Sequence, residues 1–525
     1  MITNFFSLIF SLCYLLQLII DSSIDNVITS TICFVSSVFG LFFISKVCKG
    51  PTLSSIALVG FQASYFWLPL VALTFDWTPI THNLALPVDS FTAAAIGLFS
   101  LMPAYLFSID IAKDKSFISY SHRLNTLIKN NIRLTKQSFF TIITFALIVR
   151  LFTTGLRIFG RLDFVTKLIE PVTIFGALSF SCLFITPATP FLRKYKVQSY
   201  PFCVFVLTIL FTLPSLSRFN ILIIVANTLI LLAASLFYPQ SNNQARTKSS
   251  KILINIVLAA LLIFPVLDRI ADATAYVRFS GLAFGGPLQT AQRIADAAIN
   301  GDRHIWTSTY TGPYPWDDSY TRSTIFKRFI SVNYLDLSYR FHRLQDNDAR
   351  SLVRTYEYNR IIALAPDPII NLFTPNFDKE SVIRSSFGDY NYYVVSGIGL
   401  GGFRTGNLLV SLMALFGYFW PLAFFLIATI VFIMFNLISL PFTSQAYRLL
   451  SRFSVGPITI CLLYESLTVF TSAAGGSESL SRIVGLFLRV IPIMSIYFAF
   501  LARSSPLPPA HHSTTNSSTI SATIL

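Results

Sequence analysis

Runs of about twenty apolar residues, separated by short polar stretches, recur from the first residues of the chain to its last quarter. Each is long enough to cross a bilayer core of about 30 Å as a helix. The pattern predicts spanning helices near 3–20, 27–45, 52–75, 90–112, 138–155, 171–191, 199–215, 219–238, 252–267, 405–437, 453–472 and 481–502. The 405–437 run is over-long for one crossing, which implies a steep tilt or a re-entrant start. One large interruption, at 268–403, mixes aromatic, charged and apolar residues and should therefore fold. The expected fold is an all-α polytopic membrane protein: nine spans in 1–267, a large, mainly helical outer loop at 268–403, three spans in 404–503, and a Ser/Thr/Pro-rich disordered tail at 504–525. The first run has no basic n-region and is followed by Asp21-Ser22-Ser23, so it is read as a retained helix rather than a cleaved signal.

Composition agrees. Hydrophobic residues make up 54% of the chain and charged residues 12%, well short of the roughly 25% that covers a water-soluble surface. The net charge of +15 raises nucleic acid as a partner, but its placement excludes that reading. The large loop is close to electrically balanced. The excess sits in alternate short loops, at Lys46 and Lys49, at Lys113 to Lys136, at Arg193 to Lys196, at Arg246 to Lys251, at Arg448 and Arg452, and at Arg503. The intervening short loops hold only Arg157, Arg161, Lys167, Arg218 and Arg482. The positive-inside rule then puts both termini in the cytoplasm and the large loop outside. The segment 113–137 has amphipathic spacing and many basic residues, so it either lies on the inner leaflet or simply connects two spans. None of the six Cys falls in the large loop, which therefore has neither a disulfide framework nor a Cys-based metal site. His511-His512 in the tail is read as incidental.

Within the loop, 287–299 reads as helical. Trp306, Tyr310, Tyr314, Trp316 and Tyr320 suit either sugar stacking or anchoring at the headgroup boundary. Leu337–Ile370 reads as one or two amphipathic helices bearing Arg340, Arg343, Arg350, Arg354 and Arg360. Two readings stand for these arginines. One is a solvated face paired with Asp346, Asp348 and Glu357; the other is a phosphate clamp, which the guanidinium fork suits. Glycines then crowd the membrane entry at Gly388, Gly397, Gly399, Gly401, Gly402 and Gly406, beside Asp389 and Arg404. Such backbone must bend or approach something closely. At membrane depth it is tolerated only inside protein or around a cavity.

An Arg-bearing helix, the segment Pro375-Asn376-Phe377-Asp378-Lys379, a Gly-rich polar stretch and a span beginning near Phe416-Gly417-Tyr418 together resemble the bacterial O-antigen and exopolysaccharide repeat-unit polymerases of the Wzy type. The local resemblance covers about 337–425, and the rest is similar in topology. The family's paired arginine loops have no clear counterpart, because the other candidate loop, 156–170, is short and holds only Arg157 and Arg161. The resemblance implies glycan polymerisation at the periplasmic face of the bacterial inner membrane. A chain on polyprenyl pyrophosphate would be transferred to a sugar hydroxyl of an incoming lipid-linked repeat unit. The implied partners are polyprenyl-pyrophosphate-linked oligosaccharides and membrane lipid, with a chain-length regulator and a flippase in the same pathway.

The leaving group in such a reaction is a lipid pyrophosphate, so cations should stabilise its developing charge. The candidates are Arg354, Arg360, Arg384 and Arg404, with Lys379 in support. A base within reach of the attacking hydroxyl is Asp389, His342 or Asp378. Asp389 also fits a turn after Gly388, and His342 also fits a structural role. Glu465, a carboxylate in an apolar run, is a second-rank site that could pair with Arg482 or Arg150. No cofactor or metal is expected, since there is neither a phosphate-binding glycine loop nor a dinucleotide fingerprint. The rivals are an O-antigen ligase or other lipid-dependent glycosyltransferase, and a flippase or transporter of lipid-linked sugars. The first outer loop, Asp21–Asp25, is too short to carry an acidic pair like those of related glycosyltransferases. The scarcity of charge inside the spans speaks against the transporter.

Overall fold

The computed structural model describes residues 2–48, 52–128, 141–149, 151–152, 175, 265–266, 268–274, 277, 287–300, 316–317, 319–365, 367–375, 377–383, 385–400, 404–439, 457–472 and 476–501. Every regular element among them is helical. Among the described residues, six stretches are long and apolar enough to cross a membrane: Thr3–Ile20, Ile24–Val47, Leu53–Phe75, Pro87–Ala112, Leu408–Ile438 and Leu480–Leu501. Apart from Phe175, residues 153–264 lie outside the described residues, and with them the spans expected at 171–191, 199–215 and 219–238 and most of the one at 252–267.

The first helices are α1 (Ile2–Ile20) and α2 (Ile24–Val47), joined by a tight turn in which the Ser23 hydroxyl accepts from Asn26 N and starts α2. Span α3 (Leu53–Phe75) begins with a reciprocal Thr52–Ser55 capping box and contains one π turn, Ala63–Trp67. Next come α4 (Pro87–Ala112), with Pro in its first turn, and α5 (Lys115–Leu127). The outward faces are apolar, at Leu8, Leu12, Leu15 and Ile19 on α1 and at Phe99, Leu106 and Phe107 on α4. This is the inverse of a soluble helix and suits hydrocarbon.

Polar side chains point inward, where no water can satisfy them, and bond to one another and to carbonyls. Gln17 bridges Thr74 and Thr78 O and accepts from Ile80 N. Ser54 donates to Asn436, and Gln62 donates to Ser36 O. Gly60 lies against the carbonyl of Leu467 so closely that a Cβ would overlap it, so this helix crossing requires glycine.

The loop contributes α6 (Pro287–Asn300), α7 (Thr324–Phe329), α8 (Val332–Leu344), α9 (Asn347–Ile362), α10 (Asp367–Phe373), α11 (Lys379–Ile383) and α12 (Phe387–Ser396). The five arginines fall on two helices, α8 and α9, as the pattern allowed; the division comes where Asp346 caps a new helix by accepting from Ala349 N. The over-long run is also divided. Gly417, with φ of 56°, ends α13 (Leu408–Phe416), and a 3-10 turn leads into α14 (Trp420–Ile438). The α13 cap, Asn407, donates to the Tyr65 hydroxyl inside the bundle, so α13 starts within the protein interior. The run expected as one span at 453–472 is instead two short helices over its described part, α15 (Pro457–Cys461) and α16 (Leu463–Thr468). Span α17 (Leu480–Leu501), with a π turn at Leu486–Val490, closes the chain's described part.

Candidate functional site

Two buried aspartates tie the loop helices to the membrane bundle. Asp336 on α8 aims at the start of α4, where its carboxylate accepts from Ala85 N at 2.7 Å, Leu86 N at 2.8 Å and Ser90 Oγ at 3.0 Å. It takes up the amide of the cap residue Leu86 and that of Ala85 just before it, which have no partner within the helix. Burial raises its carboxyl above the ordinary value, and these donors oppose that rise. Arg343 of the same helix reaches Asp89 at 2.5 Å on the surface.

Asp389 sits in the first turn of α12, itself capped by Ser386, which accepts from Asp389 N. One carboxylate oxygen accepts from Arg404 N at 3.0 Å and Arg404 Nη1 at 3.3 Å. The other, Oδ2, is buried with no hydrogen-bond donor. The Arg404 guanidinium lies 4.2 Å from the centre of the Tyr392 ring and 6.0 Å from that of Trp316. These rings, with Phe341, form an aromatic cluster. The approach of segment 404–406 to α12 depends on two glycines. A Cβ on Gly388 would meet Arg404 O and Gly406 N at 2.5 Å, and one on Gly406 would meet Gly388 N at 2.8 Å.

A second charged group adjoins the first. Arg360 on α9 lies between Glu357 Oε2 at 3.6 Å and Glu478 Oε1 at 3.3 Å, and also donates to Ser479 Oγ. Glu357 is fully buried; its Oε1 accepts from Ser411 on α13, while Oε2 has the Arg360 charge nearby but no hydrogen bond. Glu478 Oε2 accepts from Gly406 N, two residues beyond Arg404. The relay Arg360–Glu478–Gly406 thus fixes the backbone that orients Asp389. Three carboxylates face two guanidiniums across this region. Burial pushes the Glu357 carboxyl up against the opposing pull of Arg360. Burial also works against the Arg360 charge, but Glu357 and Glu478 more than offset it. Tyr356 stacks on Tyr390 with ring centres 3.8 Å apart and donates to Val382 O and Ser385 O, which locks α9 to α12.

The other predicted residues are placed as follows. Arg354 is exposed on α9, and its Nε donates to Ala414 O near the end of α13. Lys379 donates to Ala365 O. Asp378 is exposed at the start of α11, where it accepts from Ser381 N, the geometry of a helix cap. His342 bonds to Gln345, which donates to Asn391, and burial lowers its ring below the ordinary histidine value. Arg384 and the Arg150 considered for Glu465 lie outside the described residues. Asp389, Arg404 and Arg360 are therefore brought into one region, and Asp378 and His342 are held by other partners. Glu357, which one of the two readings of this helix put on a solvated face, is in the interior. Glu478 and Asp336 were not singled out. Glu478 stands in a Gly-Ser context at a span entry, the same signal that marked 397–406. Among the described residues, no cluster of three or more His, Cys, Asp or Glu has the spacing to hold a metal ion.

The chain matches no known protein family, no characterised protein and no solved structure.

Proposed function

We propose that this multi-pass membrane protein is a glycosyltransferase that joins polyprenyl-pyrophosphate-linked oligosaccharide repeat units at the periplasmic face of a bacterial inner membrane, with both termini cytoplasmic. The observation that carries the reading is the half-satisfied carboxylate of Asp389. One oxygen is oriented by Arg404, and the other is buried without a donor. That is the arrangement of a general base, which needs a fixed carboxylate with a free lone pair. The acceptor hydroxyl would give its proton to Asp389 Oδ2 while its oxygen bonds to the anomeric carbon. The bond from that carbon to pyrophosphate breaks, and the lipid pyrophosphate leaves. Asp389 is enclosed at 1% exposure, so acceptor binding has to part the side chains over it.

The arginines divide by their engagements. Arg360 is held by two carboxylates and acts by position. Arg404 serves Asp389. Arg354 is exposed and bonded only through Nε among the described residues, so its fork can turn to the pyrophosphate, a group that it suits, with Arg384 the other candidate for that role.

The test is Asp389→Asn in cells that depend on this protein, with glycan length read on gels. Loss of a base costs about 10²–10⁴ in rate, so single repeat units should be exported but not joined. Long chains made at the normal rate would overturn the reading. Complete absence of exported sugar would favour a flippase, and normal free chains that fail to reach their terminal acceptor would favour a ligase.

A further inference from the structure

Helix α5 buries two polar side chains, Ser121 and Asn125, while three apolar ones, Ile118, Tyr120 and Leu127, are exposed. Ser121 Oγ and Asn125 Nδ2 both donate, at 2.8 Å, to the carbonyl of Leu437. That carbonyl belongs to the last turn of α14, where a helix has no internal donors left for its oxygens. The α5 side chains are therefore the cap of α14. Helix α5 also follows α4 after a short turn at Lys113-Asp114, with the Asp114 carboxylate accepting from Ser116 N.

These contacts fix its height. Spans α4 and α14 end side by side, since Asn436 Nδ2 donates to Ser108 O. Helix α5 is bonded to one span end and continuous with the other, so it adjoins the level where the two spans end and hydrocarbon gives way to headgroups. On either side of the buried Ser121 and Asn125 strip, Ile118, Tyr120 and Leu127 are exposed at 44%, 67% and 76%. Lys113, Lys115 and Arg123 are exposed beside them. Lys113 is partly matched by Asp110 at 2.7 Å. The stretch 113–137 nevertheless carries six Lys and Arg against Asp114 alone.

We infer that α5 is a binding surface for anionic lipid headgroups, with Ile118, Tyr120 and Leu127 set below headgroup level and Lys113, Lys115 and Arg123 on the phosphates. Apolar flanks at this height have hydrocarbon beside them, and the cations have anionic headgroups above. Because the same helix caps α14, lipid charge is coupled to the order of that span's end.

The experiment uses the full chain in nanodiscs of phosphatidylcholine, alone or mixed with phosphatidylglycerol, and follows hydrogen exchange at the amides of 115–127. Exchange should be slower in the anionic discs, with amides in the middle of α4 as an unchanged reference. Each cation near such a surface contributes about fivefold to association. The triple variant Lys113→Gln, Lys115→Gln, Arg123→Gln should lose the difference between the two lipids. High salt should remove it from the unmodified protein, which keeps the test decisive if the variant folds poorly. Equal exchange in both lipids would overturn the inference. So would slowing that survives high salt or the triple variant, which would mark a contact with protein instead.

Discussion

Asp336 and Asp389 are the same residue type, each 1% exposed, each on a loop helix that docks against the membrane bundle. They differ in how completely they are satisfied. Both Asp336 oxygens accept hydrogen bonds, from two backbone amides and a serine. Asp389 uses one oxygen for two Arg404 donors and leaves the other unmatched. A buried acceptor without a donor costs about 1–3 kcal/mol. A fold keeps such an atom only against that cost. The contrast sets the fully satisfied anchor apart from Asp389, and Glu357, with one unmatched oxygen beside Arg360, belongs on the Asp389 side of it.

The comparison makes opposite demands on the two residues. Asp336→Ala removes the acceptors of Ala85 N, Leu86 N and Ser90 Oγ at the start of α4 and should lower stability by about 2–4 kcal/mol. Asp336→Asn keeps one acceptor and should cost less. Thermal unfolding in detergent would show the order. Asp389→Asn preserves an acceptor for Arg404 and loses only the charge, so its effect should fall on chain joining far more than on unfolding. A large unfolding effect at Asp389 with none at Asp336 would invert the assignment.

The anchor and the site were not equally legible. Spans α1 to α4 appear within a few residues of the positions that hydropathy indicates, because lipid leaves the backbone no alternative to a helix. Hydropathy cannot see where such a run breaks. Gly417 and its positive φ divide 408–438, and the 453–472 run is interrupted although its composition is that of a span. Within the site, glycines beside charges pointed correctly to a close approach, now seen between Gly388 and Gly406. Arg360, Arg404 and Asp389 stood out by residue type. Glu357 was read as an arginine partner, and it is one, but its burial shows only once α13 packs across it; Glu478, 118 residues from Arg360, gave no such sign. Pairing at that separation is set by tertiary docking, not by local spacing.

Glu357 offers a finer test of the charge imbalance at the site. Its folded carboxyl is raised by burial, so the folded state holds the proton more tightly than the unfolded state. Stability must then fall as pH rises from the ordinary carboxylate range, about 4, through the raised value. Glu357→Gln removes that dependence. Unfolding temperatures of the two proteins should differ least at acid pH and diverge towards neutrality, with the unmodified protein losing ground. Parallel curves would mean that Arg360 and Ser411 compensate the buried charge fully.

The smallest effect belongs to the shortest ion pair among the described residues. Arg343 and Asp89 meet at 2.5 Å, beside the Asp336 anchor, and join the same two helices. Their side chains are 54% and 45% exposed, so water and salt screen the attraction and the ordering of two flexible side chains offsets much of the rest. Arg343→Ala should cost less than about 1 kcal/mol, and the difference should shrink as salt is added. Asp336, with no cation in direct contact and longer hydrogen bonds, should matter several times more. Should Arg343→Ala equal Asp336→Ala in unfolding, docking of α8 on α4 would rest on the exposed pair, and the degree of satisfaction of a buried carboxylate would no longer separate anchor from site.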